Sequence, residues 1–210
     1  MPRPVNADAA ATKQRILDSA LEMFGSRGID AVSLRELASD ANVSSAMIHH
    51  CFGGKDGLRQ AAIDTMYNQL GGLAIEMGQL LQPGVCQSPG EVFDRAVRFC
   101  LSFCREHRSS ARLLMRDVVA KGELDAQRQA STNGPFLTQI TTRLGEILDC
   151  TPAELRMPLH SCVTLVGRYA VSSDNELMSL TATDNVDDAL VAAEEHLRHS
   201  VRLLMRLPAN

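Results

Sequence analysis

Between Gly28 and Gly54 the chain is punctuated so closely that only short helices fit. "SLRELASDA", residues 33–41, opens with Ser33 and Glu36 in the S-x-x-E spacing of a capping box, so a helix starts there. Leu34, Leu37 and Ala38 form its apolar side, and it stops near Ala41-Asn42, where asparagine tolerates the left-handed conformation of a tight turn. A new helix begins at once: Ser44 is a natural N-cap, with Val43 and Ile48 spaced as a hydrophobic staple. Gly53-Gly54 ends it after about two turns. Upstream, Ile16, Leu17, Ala20, Leu21 and Phe24 repeat at the helical period, and Gly28 supplies the stop. A long helix is thus followed by two short ones joined by a turn of about four residues. That order predicts a helix-turn-helix, whose second short helix enters the DNA major groove.

Such a recognition helix needs one apolar side to hold it on the scaffold and one polar side to face bases. Ile48 and Phe52 are four apart and point inward; Ser45, Ala46, His49 and His50 are left facing out or sideways. The triplet His49-His50-Cys51 consists of soft-metal ligands, but neighbours on a helix diverge by roughly 100° and cannot converge on one ion. No metal site is expected, and Cys51 is expected to be a small buried thiol.

The rest of the chain also reads as helix, giving an all-α fold. With 4% aromatics and no tryptophan, the core must be built from Leu, Ala, Val, Ile and Met, a set rich in good helix formers. A long helix runs from Lys55 toward Leu81, and others follow in "SPGEVFDRAVRFCLSFCREH" from Ser88, "SSARLLMRDVVAKG" from Ser109 and "GPFLTQITTRLGEILDC" from Gly134. In "TPAELRMPLHSCVTLVGRYAVSS", from Thr151, Pro158 is expected to separate a short turn from the main helix. "SDNELMSLTATDN" reads as a polar loop, and 186–207 as the last helix.

Residues 1–60 hold seven Lys or Arg and seven Asp or Glu, so the net charge of −4 belongs to the remainder. A neutral head on an acidic body is compatible with nucleic-acid binding by the head. The start, "MPRPVNADAAATKQR", has no apolar signal region, and charges interrupt every apolar run short of a membrane span. None of the six cysteines forms a CxxC pair. A cytoplasmic protein with reduced thiols and no cofactor is expected. Catalytic fingerprints such as GxSxG, HExxH, a P-loop or GxGxxG are missing from the sequence, so an enzyme is not expected.

Residues 12–58, "TKQRILDSALEMFGSRGIDAVSLRELASDANVSSAMIHHCFGGKDGL", resemble without gaps the N-terminal domain of the tetracycline-repressor (TetR) family of transcription regulators. The remaining two-thirds resembles the family only as a helical body. The resemblance implies a DNA-binding domain at 1–56 and an effector-binding and dimerisation domain at 57–210. It places Arg35 where family members reach a base; the alternative is a surface ion pair with Glu36 or Asp40. Ser33 would touch phosphate as well as cap its helix, and Ser44, Ser45, Ala46 and Met47 would approach base edges, unless Met47 is buried filler. His49 stands where the family usually has a phosphate-binding tyrosine, with His50 beside it, and Lys55 matches the family's phosphate-binding lysine.

The same resemblance implies a homodimer on a palindromic operator, with recognition helices roughly 34–36 Å apart. Leu159, Val163, Val166, Leu197, Val201 and Leu204 are the candidates for a four-helix dimer bundle, or else for packing within the subunit. A small-molecule effector would bind among the middle helices, with Phe99, Phe103, Met115, Phe136, Ile140 and Tyr169 as candidate contacts and His160 or Arg168 as polar anchors. Two alternatives stay open. One is an architectural or cell-division factor of the same fold acting through a protein partner. The other is a metal- or redox-sensing regulator using Cys100, Cys104 and His107, which share a helical face that otherwise reads as core.

Overall fold

The computed structural model describes residues 5–82, 84–86, 88–123, 126–128 and 134–207, and the side chains of 5–7, 128 and 136 lie outside that description. It forms two compact units, one of residues 1–69 with 109–124 and the other of 70–108 with 125–210. Every regular element among the described residues is a helix.

The first unit contains α1 (Val5–Arg27), α2 (Leu34–Asp40), α3 (Ser45–Phe52), the first part of α4 (Lys55–Leu80), and α6 (Arg108–Lys121) from Ser109 onward. Ile16, Phe24, Leu37, Ile48 and Leu58 are fully buried in it, so each of α1 to α4 contributes to the core. The predicted capping box on α2 is present: the Glu36 amide donates to Ser33 Oγ at 3.2 Å, and the Ser33 amide donates to Glu36 Oε2 at 2.8 Å. The turn after it closes through Val43 N to Ala38 O at 2.9 Å, with Asn42 at φ 52°. Ser19 Oγ donates to Asp40 Oδ2 at 2.6 Å and ties α1 to the end of α2.

Two glycines set how closely these helices approach. A Cβ on Gly57 would lie 1.7 Å from the Phe52 carbonyl oxygen, so the α3–α4 corner closes only around glycine. A Cβ on Gly25 would lie 2.5 Å from the Ser109 carbonyl oxygen, at the place where α6 crosses α1. There Arg116 Nε donates to Gly25 O at 2.8 Å, its Nη2 donates to Ser26 O, and Ser109 Oγ donates to Glu22. These contacts explain why the compact unit exceeds the 1–56 span expected from the sequence. α4 runs on without a break, and α6 joins α1 from more than 80 residues away.

The second unit holds the rest of α4, α5 (Pro89–Glu106), α7 (Ala126–Arg128), α8 (Gly134–Leu148), α9 (Pro152–Val171), α10 (Asp174–Thr181) and α11 (Val186–Leu204). Its core joins Val92, Phe93, Val97 and Leu101 of α5 to Leu155, Cys162, Val166 and Ala170 of α9 and to Leu197 and Val201 of α11. Beside that core, Asp94 accepts from Arg198 Nη2 at 2.8 Å and from Arg202 Nη2 at 2.7 Å, clamping α5 to α11.

Two expectations about this unit are corrected. Pro158 lies inside a continuous α9 rather than at a break. A helix-interior proline costs on the order of 3 kcal/mol. Here the buried face runs through both sides of it, from Leu155 to Ala170, and outweighs that loss. The segment read as a polar loop contains α10, capped by Ser173, whose Oγ accepts from Glu176 N at 3.1 Å. Its one fully buried side chain, Leu177, packs against Ala189 and Ala193 of α11. One such residue in two turns gives no readable period. The last helix ends at Leu204 rather than 207, with Met205 as its cap.

Candidate nucleic-acid interface

The helix α3 is held from beneath by Ile48, which is wholly buried. Its first turn is fixed by Ser44 Oγ, which accepts from Met47 N at 3.2 Å, and its last by Gly53 in the left-handed conformation. That anchoring leaves Ser44, Ala46, Met47, His49 and His50 exposed, with Ser45 half-buried. Met47 is 39% exposed, so it is a surface side chain rather than core filler. The histidines and Cys51 do not share a direction: the first two are exposed and Cys51 is half-buried. Full burial was expected of Cys51 and inward packing of Phe52, and both are half-buried. The rim position at the end of a short helix accounts for this.

Arg35 is exposed on α2. The two carboxylates that could have held it are engaged elsewhere. Glu36 pairs with Arg27 Nη2 at 2.7 Å, and Asp40 accepts from Ser19. The hydrogen bonds from Ser33 and Arg27 hold the Glu36 carboxyl down at about 2, so it stays ionised. Ser33 makes the cap that was expected of it. Its hydroxyl donates to Glu36 Oε2 at 2.7 Å while accepting the Glu36 amide, which leaves no proton for a phosphate oxygen.

At the other end of α3, the His49 ring lies against Gly54, with Cε1 3.1 Å from where a Cβ would stand. Lys55 opens α4 there, half-buried, beside backbone N–H groups that favour an anion.

Of the residues expected around an effector, Ile140, Phe99 and Tyr169 belong to or pack against one core of the second unit. Met115 belongs to the first unit and the others to the second. Phe99 and Phe103 stack at 5.9 Å, and Ile140 is buried in the core. His160 is exposed, and Tyr169 lies 5.6 Å from the His196 ring. Arg168 is bound to Glu176 and, at 2.6 Å, to Ser172 Oγ, so as an anchor it is already occupied. The Phe136 side chain falls outside the described residues. A cavity of about 280 Å³ lies elsewhere, bordered by Leu80, Leu81, Cys86, Val92, Arg143 and Ile147.

Of the dimer candidates, Val166, Leu197 and Val201 are spent on the subunit's own core at 6%, 0% and 2% exposure. Leu159 is partly buried against the same core, whereas Val163 and Leu204 face out. With them, Met157 on α9 and Val191 and Leu203 on α11 are exposed apolar side chains that the sequence did not single out.

The sulfur cluster on α5 argues against oxidation chemistry. Burial, with Cys104 nearby, pushes the Cys100 thiol up to about 12, and burial also raises Cys104. Cys100 donates to Met77 Sδ at 3.5 Å, and His107 packs edge-on to Phe103. Neutral, packed thiols lack the thiolate that oxidants attack.

An exposed short helix, pinned on a buried apolar residue and entered by a capped turn, has the geometry of a helix-turn-helix. Residues 16–62 match the family model for bacterial regulatory proteins of the tetR family. The chain is similar to the probable HTH-type transcriptional regulator YttP of Bacillus subtilis, at 30% identity over 54% of each chain. It is also similar to the nicotine-responsive transcriptional repressor HdnoR of Paenarthrobacter nicotinovorans, at 40% over 28% of this chain and 30% of that one. The chain thus spans about half the length, or less, of these curated relatives. A TetR-like regulator from Rhodococcus sp. RHA1 has the same fold over 97% of this chain and 98% of its own, with a TM-score of 0.62 at 23% identity. Residues 16–62 are thus similar to the tetR family of bacterial regulatory proteins, and beyond that segment the likeness is one of fold. No helix among the described residues is long and apolar enough to cross a membrane.

Proposed function

We propose that the protein is a sequence-specific transcriptional regulator, acting as a repressor that a small-molecule effector releases from DNA. The observation that carries this reading is the outward face of α3 together with Arg35 on α2, a cation whose neighbouring carboxylates are both engaged elsewhere. Ser44, Ser45, Ala46 and Met47 approach base edges, Arg35 reads a guanine, and His49, His50 and Lys55 hold phosphates. Histidine is a weaker phosphate donor than lysine when neutral and a stronger one when protonated.

One short helix reads only a few base pairs, so the protein works as a homodimer on an inverted repeat. The exposed apolar residues Met157 and Val163 on α9 and Val191, Leu203 and Leu204 on α11 support a second copy packing there. The effector binds in the helical body and favours the form that does not fit DNA; a preference of a few kcal/mol suffices to release the operator. HdnoR is described as nicotine-responsive, which fits small-molecule control in this family without naming an effector here.

Selection from a random pool of DNA duplexes tests the reading. Bound duplexes are expected to share an inverted repeat whose half-sites lie about one helical turn apart. A bound pool with no common sequence would overturn it.

A further inference from the structure

We propose that Lys13 on α1 is a second phosphate-binding cation, which extends the DNA contact beyond the helix-turn-helix onto the first helix. The inference rests on the DNA-binding reading above. Its carrying observation is a contact between distant parts of the sequence: Lys13 Nζ lies 5.5 Å from the centre of the Phe52 ring. Phe52 is the last residue of α3, and Lys55, at the head of α4, follows three residues later. The fold therefore delivers the Lys13 ammonium to the end of the recognition helix where the phosphate contact is expected.

Three features suit Lys13 to that role. It is exposed, so its charge is available to a ligand. Its ammonium rests over an aromatic face, which restricts an otherwise mobile side chain and lowers the cost of ordering it on DNA. Among the described residues no ion pair holds it, while the nearby Asp18 carboxylate on α1 accepts from Gln14 at 2.8 Å. The ground beside it is open as well: a Cβ placed on Gly53 meets nothing within 4 Å. The Gly53 backbone is thus open to an approaching phosphate oxygen.

The test is the salt dependence of binding to a short DNA duplex, which counts phosphate contacts through the counterions they release. Lys13→Met keeps an apolar stem on Phe52 and removes the charge. It is expected to reduce the slope of log K against log salt by about 0.9 for each bound copy, with an unchanged unfolding midpoint. Lys13→Arg is expected to keep the slope. Lys55→Ala separates the two readings. If Lys55→Ala lowers the slope and Lys13→Met does not, the role of Lys13 is overturned and DNA binding stands. If neither variant changes it, both fall. A loss in Lys13→Met that Lys13→Arg does not restore assigns the effect to packing on Phe52 and overturns the phosphate role.

Discussion

The two units differ in where their carboxylates are spent. In the second, the guanidinium groups are tied to carboxylates inside the subunit: Arg198 and Arg202 to Asp94, Arg105 and Arg108 to Asp174, and Arg168 to Glu176. In the first, Arg27 takes Glu36 and Ser19 takes Asp40, which leaves Arg35 facing out. The formal charge hides this. Residues 1–60 are neutral by count, but Asp18, Glu22, Glu36 and Asp40 serve internal contacts while the cations at 13, 35 and 55 lie at the rim of α2 and α3. A surface can be made attractive to phosphate by deciding where carboxylates are spent, without a net positive sequence.

If the body is held by its core and its ion pairs while the head keeps its polar groups for a partner, substitutions should separate cleanly. The largest effect is expected for Leu197→Ala, where a wholly buried side chain leaves a cavity: a loss of about 3 kcal/mol in urea unfolding. Leu203→Ala, on the same helix but 66% exposed, should barely change the subunit's own stability. Val163→Glu should instead convert dimers to monomers in light scattering at micromolar concentration, and a variant that stays dimeric would move the interface off α9.

Asp94→Asn is expected to cost about 2 kcal/mol, because it strips the charge from three hydrogen bonds made by two arginines. The Arg202 and Arg198 guanidiniums hold the Asp94 carboxyl down at about 2, below its ordinary 3.8. A depressed folded value means the carboxylate stabilises the fold above pH 3.8, and the contribution is lost as pH falls toward 2. Acid titration of unfolding should therefore show a smaller drop over that window in Asp94→Asn than in the natural chain.

Arg35→Ala should leave stability alone, relax preference at one base position and cost on the order of 1–2 kcal/mol of operator binding. An equal loss on all sequences would make Arg35 a phosphate contact instead. Ser33→Ala should do the reverse, costing about 1 kcal/mol of stability through the lost cap. A change in salt slope for that variant would return Ser33 to the DNA surface.

Legibility followed locality. The α2 cap, the Asn42 turn and the Gly53 stop were readable because each is decided within four residues. The readings of α9 and α10 failed where a distant partner decides. Pro158 is a local breaker overruled by a face that packs on α5 and α11, and Leu177 folds its segment through Ala189 and Ala193. The same limit applied to the site. Arg35 was legible by its place in the motif, but its availability depended on Arg27 and Ser19, and Lys13 met Phe52 only through the fold.

By itself the sequence determined the all-helical class, the three-helix head and the residues on the outward side of α3. Helical period, caps and turn chemistry act over one or two turns and are written in neighbouring residues. Only the tertiary structure decided which apolar side chains of α9 and α11 are core and which remain exposed. It also decided that α6 closes on α1 at Gly25 and where each carboxylate is spent. Those outcomes depend on which helices lie side by side, and no periodicity within a single helix carries that information.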